Sequence, residues 1–220
     1  GNNNLIIVVP NNDYGEILNE EIIFFQKLLK KQILTINYPS RDCLPFDSVS
    51  PSEANQSERL KALYSLFSKE KKIIITTPLG LIEKVPSKKI LEDHQIDIHA
   101  NSPLSIQDLT NILEDYSFTS KTIVETPGDY SAKGAIIDVY ATLPKPIRIE
   151  FDELKIKNIR LFDTESQISL NEISGFKLYP AKEIFFTDIN FKNLENYFSD
   201  REIGKRDKFQ YLEALESKFY

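Results

Sequence analysis

The sequence predicts two kinds of fold in succession, an α/β layer followed by an α+β region. The α/β layer is indicated by three short apolar runs, 5–9, 33–38 and 73–77, each of which ends at a proline. Beyond Asp97 the continuous apolar runs stop, and the clearest later strand alternates apolar and polar residues. We therefore expect a parallel sheet with helices in the first part and an antiparallel sheet in the second.

The α/β layer begins with Leu5–Val9, a run typical of a strand that is buried on both faces of a parallel sheet. Apolar residues then recur at helical spacing from Glu16, which predicts a helix before the second strand. A β-α-β order with short connections is the usual arrangement of a parallel sheet. The remaining elements predicted here are a strand at Ile33–Tyr38, a polar loop at 40–53, a helix at Ser57–Phe67, a strand at Ile73–Thr77 and a short helix at Leu79–Val85.

The α+β region is organised around Gly128–Asp163. Ile147, Ile149 and Phe151 alternate with polar residues, which indicates a strand with one buried face and one wet face. Short connections favour neighbouring antiparallel strands. The other elements predicted for this region are a helix at Ser105–Tyr116, a strand at Thr122–Glu125, a polar loop at 129–133, strands at Ala135–Tyr140 and Leu154–Phe162, and turns at 143–146 and 152–153.

Composition narrows the function classes. A net charge of −6 argues against a nucleic-acid-binding module, which usually has a basic face. The single cysteine, Cys43, cannot form an internal disulfide, and this favours a reducing compartment such as the cytoplasm. The hydrophobic content of 41% is enough for a packed core. We therefore expect a cytoplasmic globular chain.

No complete catalytic or metal-binding motif stands out. Gly128–Gly134 superficially resembles a phosphate loop, but Lys133 precedes Gly134 and a strand, not a helix, is predicted to follow. His94 and His99 lack the convergent ligands of a metal site. Asp138 lies between two apolar residues, where a structural hydrogen-bonding role is more common than a catalytic one.

Several stretches, in this order along the chain, resemble the bacterial transcription-repair coupling factor family (Mfd). Tyr38–Tyr64 is similar to a family run that combines Leu-Pro-aromatic-Asp, Ser-Pro and Ser-Glu-Arg-Leu. Ile73–Pro86 is similar to the strand and helix that follow there. Gly128–Asp163 resembles the family's GEYA-R-GG and RIEFF-D-E patterns, and Leu178–Glu183 continues the match. The excision-repair protein UvrB shares the same module more distantly.

The resemblance implies an N-terminal UvrB-like module in three parts. Residues 1–96 would be the first part of a degenerate RecA-like (helicase-type) domain, whose phosphate-loop region would lie upstream of Gly1. Residues 97–180 would be an inserted small antiparallel-sheet domain that binds UvrA, and residues 181–220 a helical return to the first domain. We therefore expect no catalytic residue, metal or cofactor in this chain, with ATP and Mg²⁺ belonging to the parent translocase.

The same resemblance implies a UvrA-binding site. Its basic loop position falls on Lys133, its strand arginine on Arg148, and its acidic and aromatic neighbours on Glu150 and Phe151. The chain departs from the family in having Lys133 where arginine is usual and Asp152 where a second aromatic is common; lysine lacks arginine's bidentate fork. We expect an outward strand face that presents Lys133 and Arg148 to acidic groups on UvrA, with Phe151 supporting the strand or anchoring its edge. Arg148→Ala is then expected to weaken UvrA binding while the fold persists.

The implied function is a protein-interaction module that recruits UvrA to stalled RNA polymerase in transcription-coupled nucleotide excision repair. Contacts with DNA and RNA polymerase would belong to other parts of the parent protein. Two alternatives stay open at this point. One is a fragment of a UvrB-like, ATP-dependent DNA motor, and the other is an autoinhibitory module whose UvrA surface is masked by other domains of the parent.

Overall fold

The computed structural model describes residues 4–43, 51–141, 145–152 and 154–183, together with Asn196. The chain divides into two compact units, residues 1–183 and 184–220. The helical return expected at 181–220 falls almost entirely outside the described residues and stays a prediction. Parts of the loop at 40–53 and of the turns at 143–146 and 152–153 also lie outside them.

The first part of the fold is an α/β layer built on a three-stranded sheet with the order β1-β3-β2. Both outer strands run parallel to β3, with Leu5 opposite Ile73 and Leu34 opposite Lys72. The predicted parallel sheet is thus confirmed, whereas its RecA-like character stays a proposal. The elements are β1 (Leu5–Val8), α1 (Asn12–Leu28), β2 (Leu34–Tyr38), α2 (Glu53–Ser65), β3 (Lys72–Thr76), α3 (Pro78–Ile82) and α4 (Lys88–Asp93).

Short polar side chains fix where the helices of this layer begin. Asn11 accepts a hydrogen bond from the backbone N–H of Tyr14 and caps α1. Ser52 caps α2 in the same way, and Thr77 caps α3 with Pro78 at its first position. Each cap satisfies a backbone donor that has no partner inside its own helix.

Strand β1 is not buried on both faces, so that expectation was wrong. Leu5, Ile6 and Val8 are 54%, 55% and 51% exposed. The reason is that β1 lies at the edge of the described sheet, with β3 as its one partner strand there. Large apolar side chains of α1, such as Phe24 and Leu28, are exposed as well. The continuous apolar run therefore predicted a strand correctly, but it did not predict how far the described residues bury the side chains of that strand.

The second part is an α+β region whose main sheet has six strands in the order β10-β9-β8-β7-β6-β5. Neighbouring strands are antiparallel except β5 and β6, which are parallel. Helix α5 begins with a capping box in which Ser105 and Asp108 satisfy each other's backbone N–H groups. The elements are β4 (Ile96–His99), α5 (Ile106–Asp115), β5 (Thr119–Ser120), β6 (Asp129–Lys133), β7 (Ile136–Val139), β8 (Ile147–Asp152), β9 (Lys155–Phe162), β10 (Ser169–Glu172) and β11 (Gly175–Leu178).

Two local predictions in this region were wrong. The strand expected at Thr122–Glu125 is not formed, and the polar loop expected at 129–133 is strand β6. Tyr130 turns into the core and is 3% exposed, while the carboxylate of Asp129 accepts hydrogen bonds from the backbone N–H groups of Glu125 and Thr126. Local hydrogen bonds to Asp129 thus hold 125–129 as a turn and leave the polar segment after it free to pair with β7.

Gly134 makes the hairpin between β6 and β7 possible. Lys133 pairs with Ile136, so two residues form the turn, and Gly134 has a φ of +58°. A glycine at the first central position suits the tight turns that match the twist of paired strands. The lysine–glycine pair that superficially resembles a phosphate loop is therefore the end of a strand followed by a hairpin turn.

One hydrophobic core holds the α+β region together. It combines the inward residues of the six-stranded sheet, such as Ile137, Ile147 and Ile149, with Leu109 and Leu113 of α5. Strands β4 and β11 pair with each other, so the first and last strands of the region lie side by side. A region that starts and ends at one place suits insertion into another domain, as the resemblance implies. The boundaries 97–180 themselves stay a prediction.

Candidate functional site

The face of the six-stranded sheet opposite the core carries Arg148 and Glu150, two of the residues predicted to bind UvrA. Ile147 and Ile149 are fully buried in the core, whereas Arg148 and Glu150, which alternate with them, lie on the other side of the strand. This confirms the alternation predicted for β8. In the register of the sheet, Arg148 stands opposite Asp138 on one side and Arg160 on the other. We call this side the outward face.

Arg148 is bound within the protein. Its Nε and Nη2 donate to the two carboxylate oxygens of Asp138 at 2.7 and 2.8 Å, which makes a bidentate ion pair. Nη1 donates to the backbone oxygen of Gln167 at 3.2 Å and to Ser169 Oγ at 3.3 Å. The hydrogen bonds and charge of Asp138 raise the pKa of Arg148 above its ordinary value, although burial acts in the opposite direction. With only 20% of its side chain exposed, Arg148 holds the face together more than it projects from it.

The contacts of Arg148 also fix the loop between β9 and β10. The guanidinium lies 5.0 Å from the centre of the fully buried Phe162 ring. Gln167, whose carbonyl Arg148 contacts, has a φ of +58°, a left-handed conformation that a non-glycine residue adopts at a cost of about 1–2 kcal/mol. Asp163 supports the same loop by accepting hydrogen bonds from Ser166, and these lower the pKa of its carboxyl group. The role predicted for Asp138, a structural hydrogen-bonding group, is confirmed by its pairing with Arg148.

Glu150 belongs to a second ion pair on the outward face. Its carboxylate accepts from Arg160 Nη1 at 3.2 Å and from Asn158 Nδ2 at 3.0 Å. Arg148 and Arg160 face each other across β8 and β9. Each of them is paired with a carboxylate, which offsets the repulsion between the two arginines. Because the side chains of Arg160 and Glu150 are 36% and 25% exposed, solvent screens the attraction between them strongly. A docking partner can therefore replace it at small cost.

Phe151 lies on the core side of β8 and is 6% exposed. It packs in the hydrophobic core of the α+β region and pairs with Ile156 across the strands. Of the two roles expected for Phe151, the geometry favours support of the strand from beneath over an exposed anchor. The next residue, Asp152, ends the strand in an exposed position.

Lys133 is exposed at the end of β6 and makes no ion pair with the described residues. It lines an open cleft of about 480 Å³ at the β5 end of the sheet. A second exposed lysine, Lys121, lines the same cleft beside the hydroxyl groups of Thr110, Ser120 and Thr122. The cleft thus combines two cations with several hydrogen-bonding groups. Sequence reasoning missed Lys121 because it follows a predicted helix by several residues and matches no motif.

A buried ion cluster in the other part of the fold was also missed. Arg59 of α2 is fully buried, and its guanidinium donates to Glu183, to Glu83 Oε2 at 2.7 Å, to the Tyr38 hydroxyl at 2.7 Å and to the backbone oxygen of Pro39 at 2.6 Å. Burial alone would lower the pKa of Arg59, but Glu183, Tyr38 and Glu83 together outweigh it and the pKa is raised. The one signal in the sequence was an arginine beside the apolar residues Leu60 and Leu63.

This buried cluster joins the α/β layer to the segment after β11. Glu183 also accepts from Arg41 Nη2 at 2.8 Å, and the Tyr179 ring stacks on Tyr64 of α2 with centroids 3.7 Å apart. Breaking a buried ion cluster leaves uncompensated charge, so these residues are structural. They lie apart from the outward face and add nothing to its chemistry.

The remaining candidates carry no site in the described part of the chain. His99 is exposed and His94 half-buried, and no group of three or more His, Cys, Asp or Glu residues described here is arranged to hold a metal ion. Cys43 is half-buried. None of the helices in the described ranges is long and apolar enough to cross a membrane.

Comparison with known proteins places the site in context. Residues 96–184 match the family model of the UvrB interaction domain. The chain is 29% identical to the transcription-repair-coupling factor of Rickettsia prowazekii over 99% of its own length and 19% of that protein. It is 29% identical to the same factor of Borreliella burgdorferi over 81% of its length, and 27% identical to that of Staphylococcus haemolyticus over 72%.

The chain thus spans less than a fifth of the length of these relatives, covering 19%, 16% and 14% of them. The match to the UvrB interaction domain coincides with the region bounded by β4 and β11, which the fold defines independently. The resemblance read from the sequence is confirmed: residues 96–184 match the UvrB interaction domain, and most of the chain is similar to transcription-repair-coupling factors.

Proposed function

We propose that this chain is the UvrA-binding module of a transcription-repair-coupling factor. The observation that carries the proposal is the match of residues 96–184 to the UvrB interaction domain, together with the sheet those residues form. In the parent protein the module recruits UvrA to stalled RNA polymerase, and DNA translocation driven by ATP belongs to other parts of that protein. This chain contributes recognition and no catalytic step.

The residues of the outward face and those at its edge have different roles in binding. Lys133 makes the direct contact, because its charge is exposed and has no ion-pair partner among the described residues. Arg148 and Glu150 hold the face in one shape through their ion pairs with Asp138 and Arg160. Phe151 supports the strand from the core. A face ordered before docking loses less conformational freedom on binding, which favours affinity.

Exposed apolar side chains at the rim of the outward face add to this surface. Ile123 and Ile168 are more than half exposed and lie next to Val124 and Gln167, whose hydrogen bond of 3.4 Å joins their two loops. Apolar groups beside ordered polar groups are the usual composition of a protein-binding patch. The loop that Arg148 fixes is the loop that presents Ile168, so Arg148 acts on this rim indirectly.

A calorimetric titration of the 220-residue chain with UvrA tests the proposal. We expect saturable binding that Lys133→Ala weakens by roughly two- to five-fold, the size of one exposed charge contact. Lys157→Ala, which removes another exposed lysine from the same sheet, serves as the matched control and should leave the affinity unchanged. Failure of the unmodified, folded chain to bind UvrA would contradict the proposal.

The two alternative functions predict different results. A motor fragment would bind ATP saturably, which an ATP titration of the same chain measures. The phosphate-loop-like segment offers no support for that alternative, since Gly134 is a hairpin turn. An autoinhibitory role would appear as competition between UvrA and the remaining domains of the parent for this module.

A further inference from the structure

The cleft beside β6 combines a strand edge with two lysines, and in the described ranges the edge beyond Tyr130 has no partner strand and the lysines have no ion-pair partner. Strand β5 has only two residues, and these pair with Asp129 and Tyr130. One more backbone hydrogen bond follows, from Lys121 N–H to the Tyr130 carbonyl at 2.8 Å. From there on, the outer edge of β6 has no partner strand among the described residues. Strand edges of this kind accept an added strand from another chain.

The side chains around this edge favour approach of a backbone. Ala132 is small and exposed, so no large side chain blocks the edge at its centre. Ser131 is turned back, because its hydroxyl donates to the Thr122 carbonyl at 3.3 Å. The exposed hydroxyl-bearing side chains of Ser120 and Thr122 line the same cleft and add hydrogen-bonding groups.

Charge decides which partner suits the cleft. Lys121 and Lys133 are exposed, and neither forms an ion pair with the described residues. Glu114 of α5 accepts a hydrogen bond from the Tyr130 hydroxyl at 3.2 Å. Burial, and Glu114 more weakly, raise the pKa of Tyr130, so this phenol stays a neutral donor. The described residues that line the cleft include two lysines and no acid, which favours carboxylates in a partner.

We propose that this cleft binds an extended acidic segment of the partner protein. The segment's backbone lies along the open edge of β6 at Ala132, and its carboxylates contact Lys121 and Lys133. The inference rests on the proposed function in taking UvrA as the source of the segment. It adds Lys121 as a recognition residue and places part of the interface at the strand edge rather than on the outward face.

Nuclear magnetic resonance of the ¹⁵N-labelled 220-residue chain tests the chemistry without UvrA. The probe is a short peptide of alternating glutamate and valine, and its control replaces every glutamate with glutamine. We expect amide shifts confined to residues 119–122 and 131–133 with the glutamate peptide, and much smaller shifts with the glutamine peptide. Equal shifts with both peptides, shifts elsewhere in the sheet, or no shift at millimolar peptide would overturn the inference.

Titration of the chain with UvrA is the second test of the inference. Lys121→Gln and Lys133→Gln should each weaken binding roughly three-fold, and the double variant about tenfold, as expected for exposed charge pairs. Lys155→Gln/Lys157→Gln removes the same charge from β9 and should have no effect. UvrA binding that the cleft variants leave unchanged would refute the inference while the proposed function stands. Peptide binding in the cleft without UvrA binding would refute the proposed function and its choice of partner, but not the acidic chemistry of the cleft.

Discussion

Replacing Arg148 separates two roles that the sequence could not separate, contact with UvrA and support of the outward face. Arg148→Ala removes the bidentate pair with Asp138, the hydrogen bonds to Gln167 and Ser169, and the contact with the Phe162 ring. A hydrogen bond to a charged group contributes about 1.5–3 kcal/mol. Because the side chains of Arg148 and Asp138 are 20% and 16% exposed, screening moves the estimate toward the lower part of that range. We expect a loss of about 1.5–2 kcal/mol in the free energy of unfolding.

That loss is smaller than the stability of a typical domain, about 5–15 kcal/mol, so the variant stays folded. A double-mutant cycle with Asp138→Ala, Arg148→Ala and both changes, measured by urea unfolding, isolates the pair itself. We expect a coupling energy of about 1–2 kcal/mol, since the two residues form one network. Arg148→Lys should recover only part of it, because lysine cannot make the bidentate contact.

UvrA affinity measured for the same variants decides between the roles. If Arg148 holds the face, Asp138→Ala and Arg148→Ala weaken UvrA binding to a similar extent, since both release the loop at Gln167. A coupling energy near zero would refute the structural role. So would a variant pair in which Arg148→Ala loses UvrA binding while Asp138→Ala keeps the wild-type affinity.

Three further predictions concern the rest of the fold. Arg59→Ala should lower the free energy of unfolding by about 3–5 kcal/mol in urea unfolding, because it strands Glu183 and Glu83 without their buried cation, and the exposed-site variant Lys61→Ala should not. Tyr38 should titrate at about pH 12 rather than 10.0 because burial raises its pKa. Its neutral form therefore stabilises the fold fully below pH 10.0, and that contribution is lost as the pH rises through about 12; near-ultraviolet titration against Tyr38→Phe measures it, and an ordinary pKa would contradict the prediction. Gly134→Val should destabilise the chain by about 1–2 kcal/mol through its positive φ, with Gly134→Asn milder, and equal effects of the two would be inconsistent with a left-handed turn.

The strands that sequence patterns predicted best are those with complete local surroundings. Ile147 to Asp152 alternate cleanly because β8 lies inside the sheet, with the core on one side and solvent on the other. The segment 129–133 has no such pattern, since Asp129 and Ser131 are buried by local hydrogen bonds rather than by apolar packing. β1 shows the opposite case, in which an apolar run is exposed because β3 is its one neighbouring strand among the described residues. The burial of a strand's side chains depends on the neighbouring elements, and the sequence of one segment does not identify those elements.

The candidate site was predictable as a set of residues but not as a set of contacts. The position of Arg148 on the outward side follows from strand periodicity alone. Its pairing with Asp138 depends on the register between β7 and β8, and that register is set by the connection between the strands. In the same way, Lys121 and Lys133 line one cleft only because β5 runs beside β6. Nothing in the sequence near either lysine indicates that the two lie close together.

These contacts change where recognition is expected on the sheet. Two arginines and two carboxylates on the outward face neutralise one another in adjacent pairs, so that face carries little net charge toward a partner. Lys133 and Lys121 at the strand edge form no ion pair with the described residues, so their charges are not neutralised in this way. An attraction between exposed charges weakens with salt, whereas a rigid face and apolar rim contribute independently of it. The salt dependence of UvrA binding should therefore fall when the edge lysines are neutralised and persist when Arg148 is replaced, which places the electrostatic part of recognition at the edge.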